Sequence, residues 1–166
     1  NIEKKIIIHD DSMNMMNHKE VIETTFDLIL ADPPYSDMMG KKRTGQRKKL
    51  YNDDSATPYS DKEVDLGNME EEEFYKVLRN IMQLCYNRLK KDGYMVVFCK
   101  DFQPEPGNPH LLHADIINEL TKIEGLEYRG MRIWHDQAMS LFPFGYPYSF
   151  TMNQLHQYIL IFRKEG

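Results

Sequence analysis

FDLILADPPY, Phe26 to Tyr35, ends in the residues of this chain best suited to chemistry: a carboxylate at Asp32, proline carbonyls at Pro33 and Pro34, and a phenol ring at Tyr35. Each proline fixes φ at about −65° and has no N–H to donate, so the four residues form a rigid corner. A carboxylate and a carbonyl accept hydrogen bonds, and an aromatic ring offers a stacking face. Together they suit a flat polar ring that stacks on Tyr35 while its exocyclic amine donates to Asp32 and to the Pro33 carbonyl. Cys85 and Cys99, the only cysteines, lack metal-ligand or redox spacing and sit within apolar patterns, so they read as buried free thiols. Neither a disulfide nor a metal site is expected.

The corner needs a strand to hold it. FDLILA reads as a buried parallel strand that stops where the prolines can no longer continue a ladder, and carboxyl ends of strands in open α/β sheets are where ligands bind. Lys5 to Ile8 reads as an earlier buried strand, running through Asp10 into a weak helix, Met13 to Glu23, with Asp11 or Ser12 as its cap and Met13 and Met16 facing inward. Asn68 to Lys91 carries the clearest helical periodicity, with Phe74, Val77, Leu78, Ile81, Cys85 and Leu89 on one face and Gly93 placed for a left-handed cap. The strand Tyr94 to Cys99 follows, and a right-handed crossover sets it parallel to the first. Lys100, Asp101 and Phe102 are then candidates to face the same cleft as Asp32. A helix over Leu111 to Ile123 and strands over Glu127 to Trp134 and His156 to Arg163 complete the α/β pattern.

Two stretches lack periodicity. Residues 36–67 read as a long polar loop beside the corner; loops of that length in a compact domain either bind something or are disordered, and the position beside the corner favours one that engages a substrate. Lys41, Lys42, Arg43, Arg47, Lys48 and Lys49 concentrate positive charge there, which fits either phosphate contact or a solvated loop. Residues 141–150, LFPFGYPYSF, place Phe142, Phe144, Tyr146 and Tyr148 either against a bound ring or in a local aromatic cluster. At 166 residues the chain reads as a single domain, and the formal charge of −5 weighs against nucleic acid as a whole-molecule property. No apolar run reaches the roughly 18 residues of a membrane span, and the N-terminus lacks signal-peptide character, so a cytoplasmic location is expected.

Asp32-Pro33-Pro34-Tyr35 behind a hydrophobic strand resembles the catalytic motif of the DNA amino-methyltransferases, in the group with a permuted motif order. The resemblance implies a Rossmann-like fold dependent on S-adenosylmethionine, with a mostly parallel sheet and an antiparallel C-terminal hairpin. It implies catalytic roles for Asp32, Pro33, Pro34 and Tyr35, cofactor contacts from Asp10 and Asp32, and DNA contacts from the Lys41 to Lys49 run. Asp10 serves equally as a simple capping residue. Aspartate at the first motif position leans toward methylation of adenine N6 in DNA. The alternatives are N4-cytosine, RNA or a protein amide as acceptor, or a non-catalytic DNA-binding subunit. The family's glycine-rich cofactor turn, F-x-G-x-G, is missing, because no glycine here stands in a G-x-G after a strand. The resemblance thus covers the catalytic half. Further polypeptide or a second subunit is expected to supply the turn, with the two strands that the family places between the N-terminal and catalytic strands.

Overall fold

The computed structural model describes residues 5–34, 62–101, 109–138 and 154–166, with the backbone alone for 143–144 and 151–152. A four-stranded mixed sheet organises them. It contains β1 (Phe26–Ala31), β2 (Leu89–Cys99), β3 (Leu126–His135) and the last strand, β6 (His156–Lys164), in the order β1-β2-β6-β3. β1 and β2 are parallel, joined through the long helix α2 (Glu71–Arg88), and β6 runs antiparallel to both of its neighbours. The expected parallel pair and antiparallel C-terminal pair are both present. A separate short ribbon pairs β4 (Pro143–Phe144) with β5 (Thr151–Met152).

The core lies on one face of the sheet. Alternation along the strands turns Met95, Val97, Leu160 and Phe162 toward Phe74 and Leu78 of α2 and toward Ile116 and Leu120 of α3 (Leu112–Leu120), and all eight are fully buried. Each such side chain contributes about 1.5–3 kcal/mol of burial. The apolar faces expected for both helices are the ones that pack. Arg79 meets the buried Glu119 carboxylate at 2.5 Å and ties α2 to α3, while Lys122, just past α3, pairs with the same carboxylate locally. Lys164 of β6 donates to the carbonyls of Tyr86 and Leu89 at 3.0 and 2.9 Å and so satisfies the C-terminal end of α2.

Three local expectations are corrected. Lys5 to Ile8 is not a buried strand: the segment is irregular, Ile7 is 91% exposed, and β1 pairs among the described residues only with β2. A strand exists only where a neighbour accepts its hydrogen bonds, and among the described residues none stands beside this one. The left-handed residue after α2 is Asp92, at φ 63, and not Gly93. Asp tolerates that conformation, and its carboxylate meets Arg163 at 2.6 Å. Gly93 is needed for space instead, since a Cβ there would lie 2.9 Å from the Lys90 carbonyl oxygen. Finally, α2 starts at Glu71, because Asp65 caps a preceding 3-10 turn, Leu66–Asn68, through Gly67 N–H at 3.0 Å.

Candidate active site

β1 delivers Asp32, Pro33 and Pro34 to the carboxyl end of the sheet. Asp32 is exposed, while Pro33 and Pro34 are half-buried beneath it. Ala31 lies opposite Val97, so Asp32 stands level with the end of β2, whose last residue, Cys99, feels the charges of both Asp32 and Asp101. Tyr35 and the Lys41 to Lys49 run fall outside the described residues, as do Phe102, Phe142, Tyr146, Tyr148 and the Phe144 side chain.

Asp10 lies on the N-terminal segment, and its carboxylate organises the turn that follows. It accepts from Asp11 N–H at 2.8 Å, from Asn14 Nδ2 at 3.2 Å and meets His18 Nε2 at 2.8 Å. Those bonds, Asn14 first and His18 next, hold its pKa below the usual carboxylate value. Asp11 caps the 3-10 turn Ser12–Asn17 through Met13 N–H at 2.9 Å, and the short helix α1 (Lys19–Ile22) follows. Met15, not Met13, reaches the core, because the tighter winding of a 3-10 turn rotates the inward face.

Between this turn and β1 runs a cleft of about 380 Å³. Ile8, Asp10, Ser12 and Met15 line one side, and Phe26, Leu28 and Ile29 of β1 line the other. Asp32 is not among its lining residues.

The other side of the corner holds a group that the sequence pattern did not reveal. Asp101, just beyond β2, is buried and turned inward, not toward solvent. It accepts from the backbone N–H of His113 at 3.0 Å and lies 2.7 Å from His113 Nδ1. The His113 ring stacks on Tyr158 with centroids 4.2 Å apart and planes at 17°, and His156 meets Tyr158 edge-on. Asp101 thus caps α3 from across a loop and pins β2, β6 and α3 together at the level of the corner. Lys100 donates to the Gln154 carbonyl at 3.0 Å. Of the three residues expected to face the cleft after β2, the two that are described make internal ties.

Both cysteines are free. Burial raises the Cys85 thiol to about 11. Burial first, then the Asp101 and Asp32 charges, raise Cys99 to about 12. Neither is a thiolate at neutral pH, so neither is a nucleophile. Among the described residues no helix is long and apolar enough to cross a membrane.

A family model described as DNA methylase, of the N6-adenine/N4-cytosine type, matches residues 26–166. No curated protein matches. Among solved structures, a Thermus thermophilus protein provisionally assigned as a DNA modification methylase superposes with a TM-score of 0.55 at 19% identity, over 94% of this chain and 51% of that one. The same protein in complex with S-adenosyl-L-methionine gives a TM-score of 0.54 over the same shares. M1.HpyAVI, solved with S-adenosylmethionine, gives 0.51 at 14% identity, over 96% of this chain and 53% of that one. At these identities the likeness is one of fold, Rossmann-like and shared with methyltransferases, and the chain spans about half the length of the structures it matches.

Proposed function

This chain belongs to the DNA methylase family, and from that premise we propose that it transfers a methyl group from S-adenosylmethionine to the exocyclic N6 of adenine in DNA, in the cytoplasm. The observation that carries the reading is the exposed Asp32, held by half-buried prolines at the carboxyl end of β1. Asp32 accepts a hydrogen bond from the amine of an extruded base, the Pro33 carbonyl accepts the second, and Tyr35 provides the stacking face. Two acceptors fix the amine plane and aim the nitrogen lone pair, a positioning effect and not a covalent one. Asp32 is also the group placed to take the proton that the methylated amine gives up.

The cofactor supplies an electrophilic methyl group on a sulfonium sulfur. Its ammonium and ribose hydroxyls are donors; Asp10 is an acceptor in the cleft beside Phe26, Leu28 and Ile29, and Asp32 is an exposed acceptor just past the carboxyl end of β1, so the residue types present fit its polar groups. The glycine-rich turn that would cradle it is absent from the sequence, and further polypeptide supplies it in this proposal. The loop at 36–67 engages substrate, with Lys41, Lys42, Arg43, Arg47, Lys48 and Lys49 on DNA phosphates.

Labelled-methyl transfer to oligonucleotides in which adenine or cytosine is the sole exocyclic-amine target, with RNA in parallel, tests the proposal. Adenine-dependent transfer into DNA is expected, and Asp32→Ala should lower it by ~10³-fold while DNA binding persists. Near-normal turnover in that variant discards the role of Asp32, and transfer to cytosine or RNA instead discards the substrate. The missing turn favours a second reading, a DNA-binding subunit without catalysis, and DNA binding with no transfer by the complete protein would establish it.

A further inference from the structure

β3 changes character halfway along. It advances two residues, Tyr128 to Gly130, while β6 advances one, Phe162 to Ile161, which is a bulge, and Gly130 takes up a φ of +107 there. The half before the bulge is guarded by that kink and by Arg129, which pairs with Glu127 and Glu165. Beyond it, residues 132–135 are all exposed, although Ile133 and Trp134 are large and apolar and each keeps 55% of its surface in water. Among the described residues this segment pairs only with β6, so its outer margin meets no strand. The further strands implied by the family resemblance belong on the β1 side of the sheet and leave this edge open.

Register against β6 assigns the faces. Met131, Ile133 and His135 lie opposite Leu160, Tyr158 and His156 on the helix side of the sheet, and Arg132 and Trp134 lie opposite Ile159 and Gln157 on the other. An identical antiparallel strand centred on Ile133 complements this one position by position. Ile133 meets Ile133, Met131 meets His135, and Arg132 meets Trp134 twice over. A guanidinium over an indole face is a cation–π pair, and Asp136, two residues past Trp134, stands diagonal to the same guanidinium. Centring on Arg132 would oppose like charges. Centring on Trp134 would set Ile133 against an imidazole and run past the end of the strand at His135.

We infer that the outer end of β3 is a homodimer interface, in which residues 131–135 of a second copy extend the ladder antiparallel, with Ile133 opposite Ile133 and each Arg132 over the other copy's Trp134. The bulge confines the ladder to these five residues a side. Such an interface is small, so the association is weak and reversible, with Kd on the order of tens of micromolar. The described strands of the two copies then form one sheet of order β1-β2-β6-β3-β3-β6-β2-β1. Because the two β3 strands run in opposite directions, the two Asp32 corners lie at opposite ends of that sheet, and neither draws a residue from the other copy. The inference therefore stands apart from the function proposed above.

The test uses the protein expressed from its complete reading frame. Sedimentation equilibrium over about 1–200 µM should show a reversible monomer–dimer transition, and Ile133→Glu, which sets carboxylate against carboxylate, should raise Kd at least ~10-fold. Mild oxidation reads the register. An equimolar mixture of the Arg132→Cys and Trp134→Cys proteins should form a disulfide between positions 132 and 134, identified by peptide mapping, at least ~10-fold faster than either protein alone forms a bridged dimer. The mixed pair also keeps one native Arg132–Trp134 contact. A monomer at every concentration, a dimer indifferent to Ile133→Glu, or equal bridging rates in mixed and single samples overturns the inference. So does a monomer whose binding to duplex oligonucleotide falls with Ile133→Glu, which would make DNA the occupant. Should Ile133→Glu fail to fold, the mixed-cysteine rates decide. Neither measurement involves methyl transfer, so a dimer inactive on DNA sinks only the proposed reaction, and an active monomer sinks only this inference.

Discussion

Replacing Asp101 by alanine should cost about 2 kcal/mol of stability, although the residue is polar and lies at the end of a strand. Its carboxylate accepts from two donors: the His113 N–H and the His113 Nδ1–H. Each buried donor left without an acceptor costs about 1–3 kcal/mol. Two such donors sum to about 2–6 kcal/mol, and removing the buried charge returns part of its own desolvation cost, which brings the loss to the low end of that sum. Urea denaturation of Asp101→Ala, His113→Ala and the double variant measures the pair directly, with unchanged m-values as the control. Because both substitutions delete the same contact, the double variant should be more stable than the sum of the single losses predicts, by about 1.5 kcal/mol. A loss below about 1 kcal/mol in Asp101→Ala, or strict additivity, would show that the group is not held together as described.

Two further outcomes follow from other parts of the core. The Cys99 thiol is raised from 9.0 to about 12, so the stability it confers is complete below pH 9 and is lost as pH climbs toward 12. By pH 10.5 the loss reaches about 2 kcal/mol, and Cys99→Ala should lack that part of the alkaline decline; identical urea midpoints across pH in both proteins would refute the burial argument. Gly125 sits at φ +79, where an added Cβ would run into the Tyr86 hydroxyl. Gly125→Ala should cost about 2 kcal/mol by thermal or urea unfolding, falling to about 1 kcal/mol in a Tyr86→Phe background where only the backbone strain remains.

What the sequence discloses here is whatever depends on neighbours along the chain. The period of α2 names Phe74, Leu78 and Ile81 as core, and the run FDLILA with its prolines locates both β1 and the corner. Asp101 and His113 escape because their bond crosses a loop, and an aspartate after a strand looks like any other loop residue until the helix across from it is placed. Asp92 escapes because the glycine beside it is the stronger left-handed signal, and only the fold shows that Gly93 is needed for room. Lys5 to Ile8 carries strand-forming residues but no partner among the described residues, and propensity alone does not make a ladder.

β6 follows the other described strands in sequence yet occupies an interior place in the sheet, with β2 on one side and β3 on the other. On the ribosome, β1, α2 and β2 therefore emerge as a parallel pair whose inner margin stays unsatisfied until residues 156–164 are made, and β3 waits with nothing to join. A stop codon just before His156 would remove β6 and leave the other described strands of the sheet as two fragments that cannot meet. Premature termination at that point should accordingly be as damaging to the nascent protein as loss of the corner itself.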